Sequence, residues 1–153
     1  MLIDPIEIRK AFLHHCKHLY ASQEPTSFDI SSLGLIKITP EECAFLQEPV
    51  TPLEVKEAIL SCDSSKVPGY DGYNLNNIKH VWPIIGEEFS GYIIHLFETG
   101  QLSPSINTTW VTLISKKKDA TGVNGYRPIH MVGSIYKVIA KNLSRRLREV
   151  LPT

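Results

Sequence analysis

Two sets of basic residues near the carboxyl end carry most of the chemistry available to this sequence. Lys116, Lys117 and Lys118 form one run, and Arg127 follows a short polar stretch. Lysine supplies a point charge, and arginine a planar fork that grips phosphate oxygens in two places. On an adaptable, extended element this set suits a triphosphate or a nucleic-acid backbone; an ordinary solvated loop has the same composition. The second set, Lys137, Lys141, Arg145 and Arg148, is spaced to share one side of a helix. It could rest along a phosphate backbone, or be the solvent face of an amphipathic helix. Residues 109–151 hold nine basic and two acidic side chains, against seven and fourteen in residues 1–108. The zero net charge therefore hides a basic end.

Other chemistry finds less support. Two-metal phosphoryl transfer needs paired carboxylates. The candidates are Asp63, Asp71 and Asp119, and neither Asp63 nor Asp71 lies at the end of a strand beside another acid. Asp63 reads as a helix terminator and Asp71 as a turn residue. His14 and His18 are one helical turn apart and could share a metal, but no second ligand pair lies at a supporting spacing. No nucleophile elbow, phosphate-binding loop or dinucleotide fingerprint is present. Trp82 and Trp110 lie among apolar residues and read as core aromatics rather than base-stacking platforms. The three cysteines are widely spaced, which suits a reducing, intracellular setting. No secretory signal and no membrane-length apolar run is visible.

At 153 residues with 42% hydrophobic and 21% charged content, the chain suits one compact globular domain. Three helix starts share a cap, proline and acid pattern: Asp4-Pro5, Thr39-Pro40 and Thr51-Pro52, each with Glu three residues after the cap. The first helix covers about residues 5–20, with Ile8, Phe12, Cys16 and Leu19/Tyr20 on one face. Residues 21–38 read as an irregular linker, followed by a short helix from Pro40 and another over about 52–61. A short helical segment over about 75–81 comes before a separate helix opened by Pro83 and stopped by Gly100. Residues 108–114 and 126–132 form a hairpin with a basic tip, Pro128 keeping the second strand at an edge. Ser134 caps a last helix whose apolar stripe is Ile135, Val138/Ile139, Leu143, Leu147 and Val150.

Four segments in sequence resemble one family. The run from Cys62 through Ser64-Ser65-Lys66-Val67-Pro68-Gly69-Tyr70-Asp71-Gly72-Tyr73 is similar to the SSKAPGPDGF segment that opens the reverse transcriptase of plant LINE-type, non-LTR retrotransposons. Leu113-Ile114-Ser115-Lys116 resembles LIPK, and Tyr126-Arg127-Pro128-Ile129-His130-Met131-Val132 resembles FRPISLV. Tyr136-Lys137-Val138-Ile139-Ala140-Lys141, with Leu143, Arg146 and Leu147, resembles the helix that follows. Tyr70 replaces the second proline of PGPDG, Ser115 the proline of LIPK, and His130-Met131 a Ser-Leu pair.

The resemblance implies an α+β, mostly helical fold: the fingers subdomain of a right-hand polymerase with one basic β-hairpin. Residues 1–46 would be a helical linker and 47–153 a partial reverse transcriptase domain. Lys116 and Arg127 would meet the incoming nucleotide's phosphates. Lys66, Pro68, Gly69, Asp71, Gly72, Lys117, Lys118, Lys137, Lys141 and Arg145 would lie along an RNA template or RNA/DNA duplex. No catalytic residue or metal ligand is assigned. The family's palm aspartates, which hold Mg2+ in the complete enzyme, have no match here, so the chain alone is expected not to polymerise. The faces around Leu143 and Leu147 would normally pack on that palm. Nuclear residence would suit a retroelement, although no clear import signal is present. A stand-alone nucleic-acid-binding module and an inert remnant are the alternatives.

Overall fold

All three proline-initiated helices form. The structure, a computed structural model, describes residues 4–21, 34 and 37–151. Helix α1 (Pro5–Leu19) starts where Asp4 accepts from the Ile6 N–H at 3.0 Å. Helices α2 (Pro40–Gln47) and α3 (Pro52–Ser61) each begin with a reciprocal capping box, Thr39 with Glu42 and Thr51 with Glu54. These caps satisfy N–H groups that a helix start leaves without partners. The proposed linker, residues 21–38, lies mostly outside the described residues.

Helix α4 runs unbroken over Leu75–Thr99, with Pro83 inside it. The sequence reading of two helices is corrected here. Asn74, not Pro83, caps the start, accepting from the Asn77 N–H at 2.8 Å. Pro83 is exposed, and the residues that pack on the core continue through it as Ile78, Trp82, Ile85, Phe89 and Ile93. An interior proline costs ~3 kcal/mol, and burying several large side chains at ~1.5–3 kcal/mol each exceeds that. Gly100 ends the helix in the left-handed region at φ +66°, its N–H donating to Leu96.

Strands β1 (Trp110–Ser115) and β2 (Tyr126–Met131) form a two-stranded antiparallel sheet, with a 3-10 turn at Val123–Gly125. The chain sorts into two units. One joins α1 to Thr112–Ile129. In it Phe12 meets Tyr126 edge-to-face at 5.5 Å. No residue of α1 is fully buried; Phe12 and Cys16 are half-buried, whereas Leu19 and Tyr20 of the expected apolar face are exposed.

The other unit contains α2, α3, α4 and helix α5 (Ser134–Val150), and the core. Val50, Val55, Ala58, Ile59, Leu75, Ile78, Ile93 and Val138 close around α3, which packs on both α4 and α5. The mostly helical α+β class is as expected.

Helix α5 differs from the sequence reading in its rotation. Its buried side is Ser134, Val138, Asn142, Arg146 and Val150, at every fourth residue, while Leu143 and Leu147 are each 47% exposed. Arg146 is the reason. Its guanidinium grips both carboxylate oxygens of Glu54, at 2.9 and 3.0 Å. It also donates to the carbonyls of Leu46, Glu48 and Pro49. A charge this buried is tolerated only when so fully partnered. The same Glu54 carboxylate accepts from the Thr51 N–H at 2.8 Å, so one acid serves both the α3 cap and the α5 anchor.

Arg146→Ala should lower unfolding free energy by roughly 3 kcal/mol, read by urea denaturation. Arg146→Lys should recover only part of it, because an ammonium cannot span that fork. The Arg146 bond holds the Glu54 carboxyl below its usual 4.5, against the opposing effect of burial. A depressed folded-state value makes this stabilisation complete above about pH 4.5 and lost as pH falls through the folded value. Glu54→Gln should therefore show a shallower acid-side loss of stability than the unmodified chain.

Candidate nucleic-acid interface

The segment from Val67 to Tyr73 owes its shape to glycine and one aspartate. The Gly72 N–H closes a turn on the Gly69 carbonyl at 3.1 Å, with Gly72 itself at φ +72°. At Gly69 the chain lies so close to Val132 and Gly133 that a Cβ would strike their backbone atoms. Asp71 then reaches across to the start of α5. Its Oδ2 accepts from the Ser134 N–H at 2.6 Å and the Ser134 hydroxyl at 2.5 Å, and its Oδ1 from the Tyr73 N–H at 3.3 Å. The sequence reading gave the α5 cap to Ser134. Gly133 holds the cap position without a side chain, and Asp71 supplies the acceptor. A carboxylate there also meets the positive end of the helix dipole. Lys137 completes the clip by donating to the Val67 carbonyl at 2.7 Å.

This clip forms one wall of a groove of about 590 Å³ between the end of α3 and the flank of α5. Lys66 lines it with Lys137 and Lys141 of the sequence-distant helix α5, together with Cys62, His130 and Tyr136. Lys66 and Lys141 form no ion pair among the described residues. Burial pushes the Cys62 thiol up, with the opposing pull of Lys141, Lys79 and Lys137 insufficient to reverse it. A thiol held in its protonated form is a poor nucleophile. Lys141 also borders a second concavity with Arg145 and Arg148, so the basic row of α5 follows the α3–α5 seam. Arg145 is held there by Glu57 at 2.5 Å, on a surface where such a pair contributes about 0–1 kcal/mol.

The hairpin residues belong to the other unit. Lys116, Lys117, Lys118 and Arg127 are all exposed. The Lys116 ammonium donates to the Asn124 carbonyl at 2.8 Å, and its backbone N–H pairs with Gly125 at 2.7 Å. Asp119 turns the tip at φ +59°, a conformation uncommon for a residue with a side chain. Asp63 binds the N–H and hydroxyl of Ser65, at 2.9 and 2.7 Å. With Asp71 capping α5, both acids have structural partners. Among the described residues no three His, Cys, Asp or Glu side chains are grouped to hold a metal ion.

Two features escaped the sequence reading. Trp110 is not a core residue: it is 54% exposed and meets Tyr70 edge-to-face. Trp82 does pack on the core, against Phe89. Lys79 also went unnoticed; it ties α4 to the end of α3 by donating to the Cys62 carbonyl at 2.6 Å and the Ser64 hydroxyl at 3.0 Å. No local signal marks either, because each depends on a neighbour distant in sequence.

Asp71→Ala should cost about 1–2 kcal/mol, the scale of a lost helix cap, and speed hydrogen exchange in the first turn of α5. Gly69→Ala should cost more, because its clash is with backbone atoms that cannot rotate away.

No protein-family model matches the chain. Over 153 residues it is 29% identical to the "Transposon TX1 uncharacterized 149 kDa protein" of Xenopus laevis, an alignment covering 98% of this chain and 12% of that protein. The chain thus spans a small part of the length of this relative, and its similarity to a transposon-encoded protein supports a retroelement relation.

Proposed function

We propose that this chain is the fingers-side portion of an RNA-directed DNA polymerase from a non-LTR retrotransposon, and that it binds template RNA without catalysing synthesis. The observation that carries this reading is the convergence of Lys66, Lys137 and Lys141 on one groove, lined by three of the four motif segments. A positively charged groove suits a phosphate backbone. The similarity to a transposon protein over nearly the whole chain agrees with it. In this reading Lys116 and Arg127 contact the triphosphate of the incoming nucleotide, Lys117 and Lys118 contact template phosphates, and Pro68 and Gly72 shape the loop that carries Lys66. The exposed Leu143 and Leu147 fit a helix that a following palm segment covers. The carboxylates for two-metal chemistry would belong to that palm, since Asp63 and Asp71 are committed to Ser65 and Ser134.

Binding of a labelled single-stranded RNA, followed by fluorescence anisotropy across a salt series, tests the groove. Each phosphate that a lysine no longer neutralises flattens the logarithmic salt dependence by about 0.7 for single strands. Lys66→Ala combined with Lys141→Ala should flatten it by about 1.4. An unchanged slope removes the groove from the account, and an absence of binding at low salt favours an inert remnant. On a primed RNA template with Mg2+, the chain should incorporate no labelled nucleotide above a Lys116→Ala, Arg127→Ala control. Incorporation above that control contradicts the assignment.

A further inference from the structure

We propose that Tyr70 and Trp110, with Tyr136 lining a recess shared with Tyr70, form a stacking site for one unpaired nucleobase of a single-stranded RNA. The inference rests on the RNA-binding reading above and gives that surface a second, uncharged component. Tyr70 is 52% exposed and Trp110 54%, with ring centroids 6.0 Å apart and planes at 86°. An edge-to-face pair already gains from its ring quadrupoles, and leaves further ring faces open. Tyr70 and Tyr136 line a recess of about 190 Å³. That is below the ~300–1,000 Å³ of pockets for drug-sized ligands, so it suits one planar ring.

Tyr136 connects this recess to the basic groove, because it lines both. A strand whose phosphates lie on Lys66 and Lys141 can therefore place a base against the aromatic rings. Backbone-tracking charge combined with aromatic faces is how single strands are held without sequence readout. The two aliphatic hydroxyls at the recess are already engaged, Thr108 with the Pro104 carbonyl at 2.9 Å and Ser105 with Ser103 at 2.9 Å. The site therefore offers ring faces more than hydrogen-bonding edges, and should accept different bases. Tyr70 stands where the resembled segment has proline, so this aromatic pair is a property of this chain.

The test compares a short single-stranded RNA with an abasic phosphodiester strand of equal length, using the full chain, Trp110→Ala and Trp110→Phe. The unmodified chain should bind RNA about ten-fold more tightly than the abasic strand. Trp110→Ala should lose about that factor for RNA, keep the salt slope, and leave abasic binding unchanged; Trp110→Phe should restore most of it. Equal affinity of the unmodified chain for both strands overturns the stacking site, as does an unaffected Trp110→Ala, while salt-dependent binding leaves the groove standing. Failure to bind either strand overturns both. If Trp110→Ala does not fold by circular dichroism, the comparison of strands on the unmodified chain decides alone.

Discussion

The Arg146 guanidinium fixes the rotation of α5, and the rest of the candidate interface follows from that rotation. A buried arginine must have nearly all its donors occupied, and here the Glu54 carboxylate and three carbonyls from the end of α2 and the α2–α3 connection occupy them. Those partners lie at one end of the helix. With Val138 in the core on the same buried side, α5 is held against rolling. Lys137 and Lys141 are thereby directed to the α3 seam, and Leu143 and Leu147 outward.

Asp71 plays the matching role at the other end of α5. Its carboxylate caps the helix across 63 residues of sequence, and the glycine at position 69 permits the approach. Arg146 and Asp71 therefore pin α5 at both ends to segments that precede it in sequence. The groove walls come from the same two attachments. Lys66 stands on the segment that Asp71 clips, and Lys141 on the helix that Arg146 orients. Stability and binding geometry are linked, so variants that loosen either pin should be read for folding before function.

Much of the fold was legible in sequence because it is written in local chemistry. The Thr39 and Thr51 capping boxes and the Gly100 stop depend on residues within one or two turns. What escaped depends on distant partners. Pro83 resembles a helix start, and only the unbroken packing of α4 shows that it is not. Leu143 and Leu147 belong to the apolar stripe read from sequence, but Arg146 and not they holds the inward position. Of the site, the basic residues were recognisable as types, but not that Lys66 shares a groove with Lys137 and Lys141, nor that Trp110 stands outside the core. The resemblance brought those motif segments together by analogy; the positions of their side chains came from the fold.

The basic groove is the centre of the proposed RNA-binding surface, and lysine footprinting tests it most directly. Amines of the free chain and of its complex with single-stranded RNA would be acetylated briefly and compared by mass spectrometry. Protection of Lys66 and Lys141, with Lys10 and Lys17 on α1 reacting equally in both samples, is the predicted result. Bound RNA that leaves Lys66 and Lys141 as reactive as in the free chain would contradict it.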